Sequence, residues 1–241
     1  MIFSKQKPPG RFSRYVALGD SVSIDDYPGE ARGAASLLYQ NRDGEYPEFA
    51  GKDLRHLHPG IAFSNLAVDG ASSSDVLHGQ LPKLPAKVSG RTLVTLTVGG
   101  NDILSGGDSS ADIIFRLQAI LSSLQARYPD CLILMGTVYD PTDGVGDLFE
   151  SGVKLERELK ILDELNQWIR SAEKPGSVFI LDIYRHFLGH GSHCKDPENP
   201  FYQKDDPSLW YVLNIEPNAR GAHEIRRLMW KAIRESEQIN N

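Results

Sequence analysis

Three short polar clusters in this chain each follow an apolar run, and their residue types suit acyl chemistry. Gly19-Asp20-Ser21 comes after Tyr15–Leu18, Asp69-Gly70 after Ala62–Leu66, and Gly99-Gly100-Asn101-Asp102 after Leu93–Val98. A serine directly after a strand, beside a glycine that permits a tight turn, exposes its hydroxyl as a nucleophile. A serine in that place can equally cap a helix. A backbone N–H next to Gly70 and the side-chain amide of Asn101 are neutral donors of the kind that stabilise negative charge developing on an attacked carbonyl. Taken alone, Asn101 reads as a turn residue after a glycine pair.

Such residues act together only if a scaffold brings them to one place. The apolar runs Tyr15–Leu18, Ala62–Leu66, Leu93–Val98, Leu132–Val138 and Val178–Ile183 are continuous rather than alternating, the pattern of strands buried on both faces. Helical spacing runs over 111–127, where Ile113, Leu117, Ile120 and Leu124 share a face, over 155–171, and over 222–239. Strands alternating with helices predict an α/β fold, a doubly wound parallel sheet of about five strands flanked by helices in three layers, spanning 1–241 as a single domain with 1–13 as a flexible N-terminal segment. In such sheets ligands collect beyond the carboxyl ends of the strands, where all three clusters fall. The stretch from Leu188 to Asp206 lacks periodicity and is long for a loop, which marks it as a candidate functional segment.

Together the Gly19-Asp20-Ser21 motif, the block Asn65-Leu66-Ala67-Val68-Asp69-Gly70-Ala71 and Val98-Gly99-Gly100-Asn101-Asp102 resemble the SGNH hydrolases, the GDSL esterase/lipase family. The resemblance extends from about Arg14 to the last helix. It implies Ser21 as nucleophile, an oxyanion hole formed by the Ser21 N–H, the Gly70 N–H and the Asn101 side chain, and Asp20 and Gly100 as supporting residues. The family's last block, Asp-x-x-His-Pro followed by Gly, is altered. In Leu213-Asn214-Ile215-Glu216-Pro217-Asn218-Ala219-Arg220-Gly221, Glu216 takes the histidine position and Leu213 the aspartate position.

Three readings of that change stand side by side. Glu216 accepts the serine proton itself, which requires burial to raise a carboxyl whose free value is about 4.3. Alternatively His190, flanked by glycines on the long loop, reaches Ser21 while Glu216 orients the imidazole. This reading is preferred because an imidazole titrates near neutral pH. In the third, the protein binds an acyl or sugar ligand without turning it over. His223, seven residues past Glu216, is a weaker base candidate. The preferred function is a serine ester hydrolase acting through an acyl-enzyme on a small ester, lipid or acetylated carbohydrate.

Composition narrows the alternatives. The 241 residues carry 26 Lys+Arg and 32 Asp+Glu, a net charge of −6 that offers no basic field for nucleic acid. No stretch is long and apolar enough for a membrane span, and Met1–Arg14 lacks the pattern of a signal peptide, so a cytoplasmic location is expected. Cys131 and Cys194 read as reduced thiols. A metal on His190, His193 and Cys194 is weighed and set aside, and no glycine-rich nucleotide fingerprint occurs, so neither metal nor cofactor is expected. Asp25–Gly29 is a possible substrate entrance, Trp210 a possible pocket wall, and His56 and His58 are expected to be solvated.

Overall fold

The computed structural model describes residues 10–85, 90–147 and 154–239. Five parallel strands, β1 (Phe12–Gly19), β2 (Ala62–Asn65), β3 (Arg91–Thr97), β4 (Cys131–Gly136) and β5 (Val178–Leu181), pair in the order β2-β1-β3-β4-β5. The helices are α1 (Ala34–Tyr39), α2 (Leu54–Leu57), α3 (Ser73–Asp75), α4 (Gly100–Ser105), α5 (Ser110–Arg127), α6 (Glu156–Ser171), α7 (Ile183–Phe187) and α8 (Ala219–Ile239). A two-stranded antiparallel ribbon, β6 (Tyr211–Val212) and β7 (Glu216–Pro217), precedes α8.

Alternate side chains of each strand enter two cores. Tyr15 and Ala17 of β1 face the side packed by Leu38 of α1 and by Ile225, Met229 and Ile233 of α8. Val16 and Leu18 face the other side, packed by Ile113, Leu117 and Ile120 of α5 and Leu165 of α6. Strands covered on both faces need continuous apolar runs, which is why β1, β3 and β4 were legible. β2 differs: at the sheet edge its residues are only partly buried. Phe12 and Ser13 belong to β1, whereas the rest of the expected flexible N-terminal segment, up to residue 9, lies outside the described residues. Among the described residues no helix is long and apolar enough to cross a membrane.

The order 2-1-3-4-5 places its switch point between β1 and β3, where the connections leave toward opposite faces and a crevice opens. At that point the two strand ends are pressed together. Gly19 has φ +130°, and a Cβ there would lie 1.8 Å from the Thr97 carbonyl oxygen. Only glycine allows that approach. Gly19→Ala is therefore expected to cost at least about 3 kcal/mol or to prevent folding. Gly79→Ala, at a position where a Cβ meets nothing within 4 Å, should be tolerated. Urea unfolding of the two variants checks the contrast.

Candidate active site

Beyond Gly19 the chain makes one tight turn, Ser21–Ser23, capped by Asp20. The Asp20 carboxylate accepts the Val22 N–H at 3.2 Å, and the Asp20 N–H donates to the Thr97 carbonyl at 3.0 Å. Ser23 and Ile24 donate to the carbonyls of Asp20 and Ser21. The Ser21 N–H takes no part in these bonds and remains available beside its own hydroxyl. Gln80, at the end of a π-helical stretch over Val76–Gln80, holds the turn from behind. Its side chain accepts the Gly19 N–H at 2.9 Å and donates to the Gly19 carbonyl at 2.7 Å.

The second cluster closes a turn in which Ala71 donates to Val68 at 3.1 Å and Gly70 sits at φ +69°. Gly70 is exposed, and its N–H is not spent in the backbone bonds of that turn. The third cluster begins α4. Asn101 donates from Nδ2 to the Ala71 carbonyl at 3.1 Å, which ties its amide to the residue next to Gly70 and leaves its second hydrogen free. Asp102, buried, fastens the same two segments below: it accepts the Ser73 N–H at 2.8 Å and an Arg116 N–H at 3.1 Å, and Arg116 also reaches the Ser73 hydroxyl at 2.6 Å.

Ser21, Asp20, Gly100, Asn101 and Glu216 line one cleft, about 830 Å³ counted to its open mouth. Glu216 arrives on β7. The ribbon turns through Leu213 and Asn214, both at positive φ (47° and 71°), and the Tyr139 hydroxyl grips the Ile215 carbonyl at 2.7 Å. Behind β7, Asn218 caps α8 by accepting the Arg220 and Gly221 N–H groups. Burial pushes the Glu216 carboxyl above its ordinary value, a rise partly offset by hydrogen bonding with the Ser21 hydroxyl. Its Oε2 is buried with no hydrogen-bond partner. Burial likewise pushes Asp20 up to about 7, and the nearby Glu216 charge adds to the rise.

Histidines go elsewhere. All seven lie among the described residues and none lines the cleft. His190, preferred on sequence grounds as the base, lies flat on Trp210, with ring centroids 3.5 Å apart and an angle of 6°, and its Nδ1 meets the Ser208 carbonyl at 3.1 Å. The flanking glycines serve packing instead of approach to the crevice. A Cβ on Gly189 would come 2.1 Å from the Phe201 carbonyl oxygen, and one on Gly191 would come 2.4 Å from that of Pro141. Buried Asp143 gathers the N–H groups of Gly189, Gly191 and His193, so much of the long loop is bound to the body of the protein. His223 stacks on Tyr46 and accepts from Arg226 at 2.8 Å, away from the cleft. Trp210 packs on His190 instead of walling the pocket, and His58 is buried edge-on against Phe12 rather than solvated. Asp25 caps the start of α1 through the Gly33 N–H and Ser36 hydroxyl.

The GDSL-like Lipase/Acylhydrolase family matches residues 17–223. The chain belongs to that family. Its fold is shared with a lipolytic G-D-S-L protein from Veillonella parvula (13% identity, 92% of this chain and 98% of that one, TM-score 0.60). An extracellular lipase from Streptomyces rimosus is also similar (21%, 91% and 99%, 0.56), as is a phospholipase A1 from Streptomyces albidoflavus (22%, 92% and 99%, 0.53). No curated protein matches. Within this GDSL-family chain the residues that hold these segments in place, Gln80, Tyr139, Ser73 and Arg116, carry no motif of their own, and only the fold reveals them.

The raised Asp20 carboxyl has a consequence for stability. Between about pH 4, where the unfolded carboxyl titrates, and about 7, where the folded one does, the native state holds the extra proton, so stability falls as pH rises through that window. Asp20→Asn, whose oxygen still accepts from Val22, is expected to gain stability relative to the parent at pH 8 over pH 4, by roughly 4 kcal/mol. Unfolding at the two pH values measures it, and a gain independent of pH refutes the assignment.

Proposed function

We propose that the protein is a serine ester hydrolase in which Glu216, in place of a histidine, accepts the proton of Ser21. The observation that carries this reading is the meeting of the Ser21 hydroxyl and the Glu216 carboxyl in one cleft with the Asn101 amide, where no histidine reaches.

The cycle needs only protein groups and water. Ser21 Oγ attacks the ester carbonyl and its proton passes to Glu216. The carbonyl oxygen becomes an anion held by the Ser21 and Gly70 N–H groups and by Asn101 Nδ2. The intermediate collapses, the C–O bond to the alcohol breaks, and the alcohol leaves with the proton from Glu216. A water then gives its proton to Glu216 and adds to the acyl carbon; the bond to Ser21 Oγ breaks as Glu216 returns that proton to it, leaving Ser21, ionised Glu216 and a free carboxylic acid. A carboxylate is a weak base toward a hydroxyl, and burial acts in the required direction by raising Glu216. Apolar side chains of α4 and α6, among them Ile103, Leu104, Leu159 and Leu162, form the wall along which an acyl group would lie.

With p-nitrophenyl butyrate as substrate, Ser21→Ala is expected to abolish turnover, and Asn101→Ala to lower kcat by about 10² to 10³ with little loss of stability. A fluorophosphonate that labels the parent but not Ser21→Ala reports an activated hydroxyl. Absence of labelling favours ligand binding without turnover.

The base can be tested by pH. Glu216 works ionised, so kcat/KM should fall about tenfold per unit below its raised value and level off above it. Glu216→Gln should remove that limb together with most of the activity, whereas His190→Ala should leave both intact. Loss of activity in His190→Ala, with the fold retained, overturns the assignment.

A further inference from the structure

We propose that Tyr139 is a positioning residue for the reaction: its hydroxyl, bonded to the Ile215 carbonyl, sets the Glu216 carboxyl against Ser21. It does through the main chain what an aspartate does for the histidine of a Ser-His-Asp triad. This role rests on the reading of Glu216 as the base.

A base that must meet one hydroxyl needs something to fix its direction. Among the described residues no side chain does so for Glu216. Leu213, at the aspartate position, is 70% exposed at the turn of the ribbon, and Glu216 Oε2 has no partner. The direction of the carboxyl is therefore set by the main chain of β7. That ribbon is short, pairing Tyr211 with Pro217 and Val212 with Glu216, and its turn holds Leu213 and Asn214 at φ 47° and 71°. Non-glycine residues in that region are strained and persist only where neighbouring bonds hold them. Ile215 alone separates the strained pair from Glu216, and its carbonyl is the group that accepts the Tyr139 hydroxyl, at 2.7 Å.

Tyr139 is itself anchored to the sheet. It stands just past β4, where buried Asn166 of α6 holds both main-chain groups of Val138, accepting its N–H at 2.8 Å and donating to its carbonyl at 2.7 Å. The Thr137 N–H donates to the Leu181 carbonyl of β5 at 2.9 Å. The Tyr139 ring lies nearly parallel to Phe187, with centroids 5.5 Å apart, and edge-on to Tyr211 at 5.2 Å. Sheet and helices fix one end of the side chain, and the hydroxyl fixes the ribbon to the other. Ser21 is tied to β3 through the bond from the Asp20 N–H to Thr97, and Glu216 is tied to β4 through Tyr139, so nucleophile and base are referred to one rigid frame. Although Tyr139 lines the cleft, its hydroxyl proton is spent on Ile215 and is not offered to a substrate. Misplacing a reacting group by about 1 Å can cost on the order of 10² in rate, which gives such a tie its value.

Tyr139→Phe keeps the ring and removes only the hydroxyl. With p-nitrophenyl butyrate its kcat should fall by about 10- to 100-fold while KM stays within about twofold of the parent. The acid limb of kcat/KM should move to lower pH, because a loosened ribbon admits water to Glu216 and weakens the burial that raises its carboxyl. Asn166→Ala, at the foot of the same strut, should show both changes and serves if Tyr139→Phe does not fold. Tyr211→Phe is the control. Its hydroxyl is buried one ring away without a hydrogen-bond partner, so its loss should leave kcat and the limb as in the parent. A merely structural tie lowers the melting temperature of Tyr139→Phe and Asn166→Ala but leaves kcat and the limb in place, and that result overturns the proposal. So does a rise in KM at unchanged kcat, the mark of a substrate contact, or an equal loss in Tyr211→Phe, the mark of general loosening. Each of these outcomes leaves the hydrolase reading standing. A parent that neither cleaves the ester nor takes up a fluorophosphonate at Ser21 overturns the hydrolase reading, and the role of Tyr139 falls with it.

Discussion

The close approach of Gly19 to the Thr97 carbonyl is the constraint from which the rest of the site follows. Two neighbouring strand ends brought within backbone contact leave no room for a side chain, and the chain emerging from β1 has to turn at once. That turn aims the free Ser21 N–H and hydroxyl at the space above the sheet. The same carbonyl accepts the Asp20 N–H, and Gln80 clamps Gly19 from the other side through two buried hydrogen bonds. Because a buried polar group left unpaired is costly, each of these bonds resists displacement, and the turn is held rigidly before any substrate arrives. The Asp102–Ser73–Arg116 network performs the corresponding task for the two loops that carry Gly70 and Asn101.

Glu216 shows the opposite economy. Where Asp143 is buried and saturated with backbone donors, Glu216 is buried and left partly unsatisfied, with a serine hydroxyl near one end of its carboxyl and nothing on Oε2. A structural carboxylate is normally stabilised in its charged form by the bonds it accepts. Withholding those bonds destabilises the charge and raises the affinity for a proton, the property a carboxylate needs to take a proton from an alcohol. Tyr139 supplies rigidity without touching the carboxyl, since its bond goes to the Ile215 carbonyl.

Much of the scaffold was legible in the sequence because parallel strands covered on both faces need unbroken apolar runs, and the helices over 110–127 and 156–171 need a repeating apolar face. The places of Ser21 and Asn101 followed from strand ends and from resemblance. The place of His190 outside the cleft was not legible for a physical reason: glycines on either side of a residue permit both an exposed approach and a tight backbone packing, and sequence alone does not distinguish them. The distinguishing partner is Asp143, more than 40 residues away along the chain, whose capture of the loop N–H groups only the fold reveals. Gln80 and Tyr139 were unreadable for the same reason, since a lone polar residue acquires its role from what the fold sets beside it.

Replacing an imidazole by a carboxylate changes the electrostatics of the whole reaction, beyond the strength of the base. A neutral imidazole that takes the serine proton becomes a cation beside the developing oxyanion, and the two charges form a pair. A carboxylate that does so becomes neutral, and its negative charge is moved to the carbonyl oxygen, with no Lys, Arg or His among the described residues that line the cleft. In the reaction proposed above, the amide donors of Ser21, Gly70 and Asn101 carry the anion without that help, in a cleft whose other ionisable groups are acidic.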